Sequence, residues 1–320
     1  MLSLGAALLA PPFAVSQTPS RKYRLGVLAI NSASLNDPHW IAFFQRLREL
    51  GLTEGQNLVI ERRNPENRLD RLPALAANLQ NLKCDAFFSG ASEAALAALV
   101  AASPDTPIIT VAVDFDPVAT GDVASLARPG GRVTGVTAMQ STMPAKRLEL
   151  MKEMLPRVAK VAVFTNAQTS EQLSVVRGTA RRIGLAVHVV DFKSPPFDYD
   201  AGFASATGAR AHALFVLGSG LWVPGRRAII DGASKAHLPS AFHHSGWVEA
   251  GGLTSYGFSF PALWRRGAEI VASVLRGIKV SDIPMEQPTT FELAINLKTA
   301  KALGLTIAQA MLLRADRVIE

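Results

Sequence analysis

The run Gly90-Ala91-Ser92-Glu93-Ala94 has the form G-x-S-x-A. It differs only in its last residue from the G-x-S-x-G turn that presents a nucleophilic serine between a strand and a helix. The apolar stretch 85–88 precedes it and an alanine-rich run to Leu99 follows. Asp191 and His243 come later, so the order Ser…Asp…His of a serine hydrolase is available. The same knot has a second chemistry. Ser89 and Ser92 offer hydroxyls, Gly90 and Ala91 leave the backbone accessible, and a helix starting near Ser92 points free N–H groups outward, which together suit a carboxylate. In a third reading Ser92 only caps that helix, with Glu93 favouring its dipole.

Other polar residues fall at the ends of apolar runs. Asn31 and Ser32 follow the first such run, and Asn166 and Gln168 follow a corresponding one in the second half. Asp114 and Asp116, in Val113-Asp-Phe-Asp-Pro117, suit an ammonium group or serve as turn residues before the proline. Thr137 closes the run 133–137, and Ser219 sits in Gly218-Ser219-Gly220. Trp222 and Tyr256 are candidates to stack on an apolar part of a ligand. His243 and His244 precede Ser245. Neighbours on a strand point to opposite faces, so at most one would face a given metal, and no Cys or His partner stands at ligand spacing. A loop contact to a ligand fits them better than zinc. With no P-loop and no G-x-G-x-x-G, neither a nucleotide nor a dinucleotide cofactor is expected. Met139, Met143, Met151 and Met154 read as core or hinge packing.

The elements that carry these residues repeat. Run 24–30, a polar loop, an amphipathic helix around 40–50 closed by Gly51, run 57–62, a helix near 69–82, run 84–88, the knot, a helix to Ala102 and run 107–113 form the first half. The second half repeats the order: 160–164, a polar loop, a helix 171–183 closed by Gly184, then 186–191, a helix 201–209, 213–217, Gly218–Gly220, a helix near 225–236 and 239–242. Strands alternating with helices of this length predict α/β lobes with parallel sheets and right-handed crossovers. Ligands of such sheets gather beyond the carboxyl ends of the strands, where the polar residues above stand. Two Rossmann-like lobes would face each other across a cleft. The segments 130–137 and 251–257 are the expected crossings, and a helix 261–275 returns to the first lobe.

Length and composition agree. The 320 residues suffice for about two domains, and 48% hydrophobic with 18% charged residues excludes a disordered chain. The charge of +7 comes from scattered pairs such as Arg181-Arg182 and Arg265-Arg266, never a run, so no nucleic-acid partner is expected. Residues 1–16 read as a signal peptide ending Ala14-Val15-Ser16, although no Lys or Arg precedes Arg21. The single cysteine, Cys84, forbids an internal disulfide and reads as core packing.

From Arg24 to Glu320 the chain resembles the periplasmic substrate-binding proteins of ABC transporters, in the tryptophan/tyrosine-binding branch of the type I fold. The phrases that carry the resemblance are Gly51-Leu-Thr-Glu-Gly-Gln-Asn57, Asp70-Arg-Leu-Pro-Ala-Leu-Ala76, Asp116-Pro117, Ser125-Leu-Ala-Arg-Pro-Gly-Gly131, Val133-Thr-Gly-Val-Thr137 and Ala145-Lys-Arg-Leu-Glu-Leu150. Ala250-Gly-Gly-Leu-Thr-Ser-Tyr-Gly257 and Phe291-Glu-Leu-Ala-Ile-Asn-Leu-Lys-Thr-Ala-Lys-Ala-Leu-Gly304 complete them. It departs from the family at 218–224 and at 241–245, where a ligand's distal end would sit. The resemblance implies a two-lobed Venus flytrap: residues 23–137 with about 258–285 in one lobe, and 138–257 with about 286–320 in the other. It implies a monomeric, exported, periplasmic protein without enzymatic activity, which takes an amino acid or aromatic carboxylate and delivers it to an ABC permease. A serine hydrolase and a ligand-sensing domain for a membrane receptor stay open as alternatives.

Overall fold

Apolar runs flanked by amphipathic helices can bury both strand faces only in a sheet sandwiched between helices. The computed structural model describes residues 21–29, 37–66, 68–113, 115–139 and 143–320. Asn31, Ser32, Asp114 and the signal-peptide segment 1–16 lie outside the described residues.

The first half builds β1 (Tyr23–Ala29), α1 (Pro38–Glu49), β2 (Leu58–Arg63), α2 (Leu72–Asn81), β3 (Ala86–Gly90), α3 (Glu93–Ala102), β4 (Ile108–Val113) and β5 (Val133–Ala138). These strands form an all-parallel sheet in the order β2-β1-β3-β4-β5. The second half builds α4 (Pro144–Met154), β6 (Lys160–Asn166), α5 (Ser170–Arg182), β7 (Ala186–Phe192), α6 (Tyr199–Gly208), β8 (Ala213–Val216), α7 (Arg226–Lys235), β9 (Ser240–Phe242), α8 (Ser245–Glu249) and β10 (Thr254–Phe258). After it come α9 (Phe260–Leu275), β11 (Phe291–Asn296), α10 (Leu297–Ala302), α11 (Gln309–Leu312) and β12 (Arg317–Ile319). The second sheet runs β12-β11-β10-β9-β8-β6-β7.

Strip off β11 and β12, and the second sheet reads β7-β6-β8-β9-β10, the order of the first sheet strand for strand. The expected duplication of plan is therefore a duplication of topology. Parallel pairing dominates the second sheet, but β11 runs antiparallel to β10, with Phe258 opposite Phe291. That reversal occurs because β11 enters from the other lobe.

Each sheet has a core on both faces. Leu25, Val27, Phe88, Ile109 and Val136 pack with Trp40 and Phe43 of α1 and with α9, whereas Leu28, Phe87, Ile108 and Ala112 face α2 and α3. In the second sheet Val161, Val163 and Phe215 face α4 and α5, while Phe164, Leu214 and Val216 face Phe203, Ile229 and Trp247. Cys84 is buried, its thiol 3.6 Å from the Leu79 carbonyl oxygen, and burial pushes its pKa up to about 11, as suits a packing residue.

The chain passes between sheets at three places. Segment 130–137 was expected to cross, yet its strand β5 pairs wholly with β4. The first passage follows β5. The second passage falls at Ser259, after β10, rather than within 251–257. There α9 begins, buried along Leu263, Trp264, Gly267, Ala268, Val271 and Leu275, spacing that places one stripe against the first sheet. The third passage precedes β11. Before it the chain lies along β5, where Thr137 N–H donates to Glu286 O at 2.8 Å and Glu286 N–H to Gly135 O at 2.9 Å. Arg266 of α9 clamps Glu286 with two bonds of 2.6 and 2.7 Å. No helix among the described residues is long and apolar enough to cross a membrane.

Candidate ligand-binding site

Parallel strands that end at one edge place the following loops side by side. In the first lobe the knot follows β3. Ser92 is the N-cap of α3: its hydroxyl oxygen accepts from Ala95 N–H at 3.1 Å. Ser89 is fully buried, and its hydroxyl lies 3.5 Å from the Ser92 carbonyl oxygen. Ala91 has φ +50°, a left-handed conformation that a residue with a Cβ adopts at a cost of order 1 kcal/mol. Its N–H donates to Val111 O at 2.9 Å, which ties the turn to β4. A Cβ on Gly90 would lie 3.2 Å from Trp40 and 3.5 Å from Trp264, so a larger residue there requires the Trp40 ring to give way.

Asp116, exposed, accepts from Val118 N–H at 2.9 Å, the turn role foreseen for it. Thr137 is buried beside the first passage.

In the second lobe β6, β8 and β9 are adjacent, and so are their ends. Asn166 is 3% exposed; its Oδ1 accepts from Gln168 N–H at 3.0 Å, and its Nδ2 is buried with no partner among the described residues. The Ser219 hydroxyl donates to Gln168 Oε1 at 2.7 Å and accepts from Leu221 N–H at 3.1 Å. His243 is 5% exposed, with Nδ1 buried and lacking a partner among the described residues. His244 caps α8 through Nδ1, which accepts from Gly246 N–H at 3.1 Å. Its proton therefore resides on Nε2.

The two sets of loops face each other. His39 of α1 stacks edge-on to Trp264 at 4.6 Å, Trp264 stacks on Phe260 at 5.9 Å, and Phe260 meets His244 at 4.7 Å. This chain of rings runs from the first lobe through α9 to the second. Burial lowers the pKa of His39, with Asp37 opposing. His244 is lowered to about 3, chiefly by burial and then by the positive charges of Arg226 and Arg147 and, in acid, by that of a protonated His39. His243 falls well below the usual value for the same first reason, reinforced by His244 and Arg147. All three imidazoles are neutral at physiological pH.

Several expectations need correcting or completing. Trp222 is fully buried, donates its indole N–H to Leu217 O at 2.8 Å and packs against Phe192 and Phe197, so it stacks on core and not on a ligand. Tyr256 is partly buried against Phe291 at 6.0 Å, and burial with Asp316 raises its pKa. Asp191 pairs with Lys193 on β7, three strand positions from the end of β9. At roughly 4.8 Å per strand that is about 14 Å from His243, so the Ser92–His243–Asp191 triad is not assembled. No three His, Cys, Asp or Glu residues among those described are grouped to hold a metal ion.

Sequence reasoning missed His39, Trp40, Phe260 and Trp264, whose meeting depends on α9 returning to the first lobe. It also missed Arg147, only 2% exposed, whose Nε donates to Tyr256 O at 3.0 Å and whose guanidinium lies 5.7 Å from the Phe215 ring. The signal was a charge at a position of α4 whose neighbours Leu148 and Met151 are core. A separate shallow pocket, 70 Å³, lies between α1 and the start of β2, lined by Phe44, Leu47, Leu52 and Leu58. It opens at the amino end of that strand, away from the knot.

A family model described as ABC transporter substrate binding protein matches residues 28–319. A tyrosine-binding protein from Clostridioides difficile (strain R20291) is 29% identical over 295 residues, spanning 90% of this chain and 83% of its own. The crystal structure of an ABC domain in complex with L-Trp from Streptococcus pneumoniae superposes with a TM-score of 0.78 at 25% identity, covering 93% of this chain and all of the other. A ligand-free, open substrate binding protein with adhesive properties from Clostridium difficile gives 0.71 at 24% identity, over 93% and 99% of the two chains.

Proposed function

The chain belongs to the ABC transporter substrate-binding protein family, and from that premise we propose that it traps a small solute between its lobes and hands it to an ABC permease. The solute is an amino acid or an aromatic carboxylate. The observation that carries this reading is the pair of strand-end walls, joined by three chain passages and bearing buried polar atoms that have no partner among the described residues. A hinge of a few residues at each passage lets such lobes close on a ligand. The lobes are 23–137 with about 258–285, and 138–257 with about 286–320.

On the first wall the ligand meets Gly90, Ala91 and Ser92; on the second it meets Asn166, Gln168, Ser219 and His244. Relatives described as tyrosine-binding and as bound to L-Trp support an aromatic ligand, as does the ring chain from His39 to His244. Transport requires export, so the protein acts as a periplasmic monomer after removal of residues 1–16. Thermal-shift measurements against aromatic amino acids and aromatic acids test the reading. A ligand that binds the native state raises the melting temperature by an amount set by its concentration over Kd. A flat response to every member of the panel sinks it.

A further inference from the structure

The hydrogen-bond pattern of the second wall is one-sided. Asn166 Oδ1 is taken by Gln168 N–H, which leaves the Nδ2 donor as the free end of a side chain only 3% exposed. Gln168 Oε1 is taken by the Ser219 hydroxyl, which leaves its Nε2 donor. His244 Nδ1 is taken by Gly246 N–H, which leaves the Nε2–H donor. A backbone N–H can only donate, so the orientations of Asn166 and His244 are fixed by chemistry and not by choice. Across the cleft, the Trp264 indole N–H is buried with no partner among the described residues, another donor.

Charge points the same way. Arg226 borders this wall, with Nη1 4.0 Å from the point where a Cβ on Gly246 would project. The permanent charges that act on His244 are both cationic: Arg226 and Arg147. Glu292 is the carboxylate beside them, and it accepts from the Ser245 hydroxyl at 3.3 Å. In the first lobe the carboxylate of Asp116 is engaged with its own turn.

Resting on the binding reading above, we propose that the second wall receives an anionic oxygen group, so that the ligand class is aromatic carboxylic acids for which an α-ammonium group is dispensable. Donors meet the carboxylate oxygens, and the aromatic ring lies against the His39–Trp264–Phe260 rings. Neutral imidazoles suit this arrangement, because they donate without placing a permanent charge in the closed cleft.

The test is isothermal titration of the full chain with indole-3-acetate, L-tryptophan and tryptamine, which share an aromatic ring and differ in their charged groups. Indole-3-acetate is expected to bind within about tenfold of L-tryptophan, and tryptamine to bind at least a hundredfold more weakly than the acid, as loss of charge-assisted hydrogen bonds requires. Asn166→Asp keeps the Oδ1 acceptor for Gln168 N–H but replaces the donor by a negative charge. It should weaken the acid at least tenfold, and burial of the new carboxylate should lower the unliganded melting temperature, so the exposed Arg226 supplies the variant that is free of a folding cost. Arg226→Gln, at an exposed position, should weaken the acid with no cost to folding. Binding of L-tryptophan or tryptamine but not of indole-3-acetate overturns the proposal, as does an acid affinity that neither variant changes. Binding of none of the three overturns the cleft reading itself.

Discussion

The three neutral imidazoles predict acid sensitivity in a window where carboxylates are still ionised. The pKa of His244 is about 3 in the folded chain against 6.5 in the unfolded one, and that of His243 is also well below 6.5. As pH falls through 6.5 the unfolded state takes up protons that the folded state refuses. Stability is therefore complete above about pH 6.5 and is lost progressively below it, at up to about 1.4 kcal/mol per pH unit for His244, with His243 acting in the same direction. Between pH 7.5 and 5.0 His244 alone forfeits about 2 kcal/mol, and His243, shifted in the same direction, adds to the loss. The His244 contribution is already a sizeable share of the roughly 5–15 kcal/mol that holds a domain folded. Ion-paired carboxylates contribute little here: Glu49, bonded to Arg265 and Arg46, is held at about 2 and remains charged throughout. Urea denaturation at both pH values measures the loss. His244→Asn separates the cause, because asparagine can still accept from Gly246 N–H at the helix cap but does not titrate. The variant should lose about 2 kcal/mol less than the parent on acidification. Equal losses in parent and variant would refute the reasoning.

Four further substitutions probe the framework. Gly135 has φ +149°, and a Cβ there would run into the Thr110 carbonyl of the paired strand, so Gly135→Ala should cost more than about 3 kcal/mol in urea denaturation or prevent soluble expression. Trp222→Phe removes the bond to Leu217 O and part of a packed ring, which should lower stability by about 1–3 kcal/mol and leave ligand affinity by calorimetry unchanged; a tenfold loss of affinity would return Trp222 to the site. Ser92→Ala loses the α3 cap, worth about 1 kcal/mol, and should also raise the ligand Kd if the hydroxyl completes the first wall. Ala91→Gly relieves the left-handed backbone and should raise the melting temperature or leave it unchanged.

The repeated strand order was legible because each strand is a short apolar run and each crossover a helix with one buried stripe. Loop chemistry is local too, so the capping by Ser92 and the turn at Asp116 could be foreseen from their neighbours. What could not be read depends on the tertiary return of the chain. The antiparallel β11 follows from a third passage that no local pattern marks. His39, Phe260 and Trp264 come together only when α9 rejoins the first lobe beside α1. Trp222 is a candidate to stack on a ligand from its place in a strand-end loop, yet Phe192 and Phe197, some thirty residues away, enclose it. The donor character of the second wall was hidden for a related reason. Asn166 and Gln168 carry both donor and acceptor, and only the folded partners show which end is spent.

A crystal structure with the tightest binder of the thermal-shift panel tests the central claim most directly. The account predicts ligand density between the strand ends, with an anionic oxygen within hydrogen-bond distance of Asn166 Nδ2 and a ring against Trp264. Density instead in the pocket between α1 and β2, or a carboxylate turned away from the second wall, would contradict it.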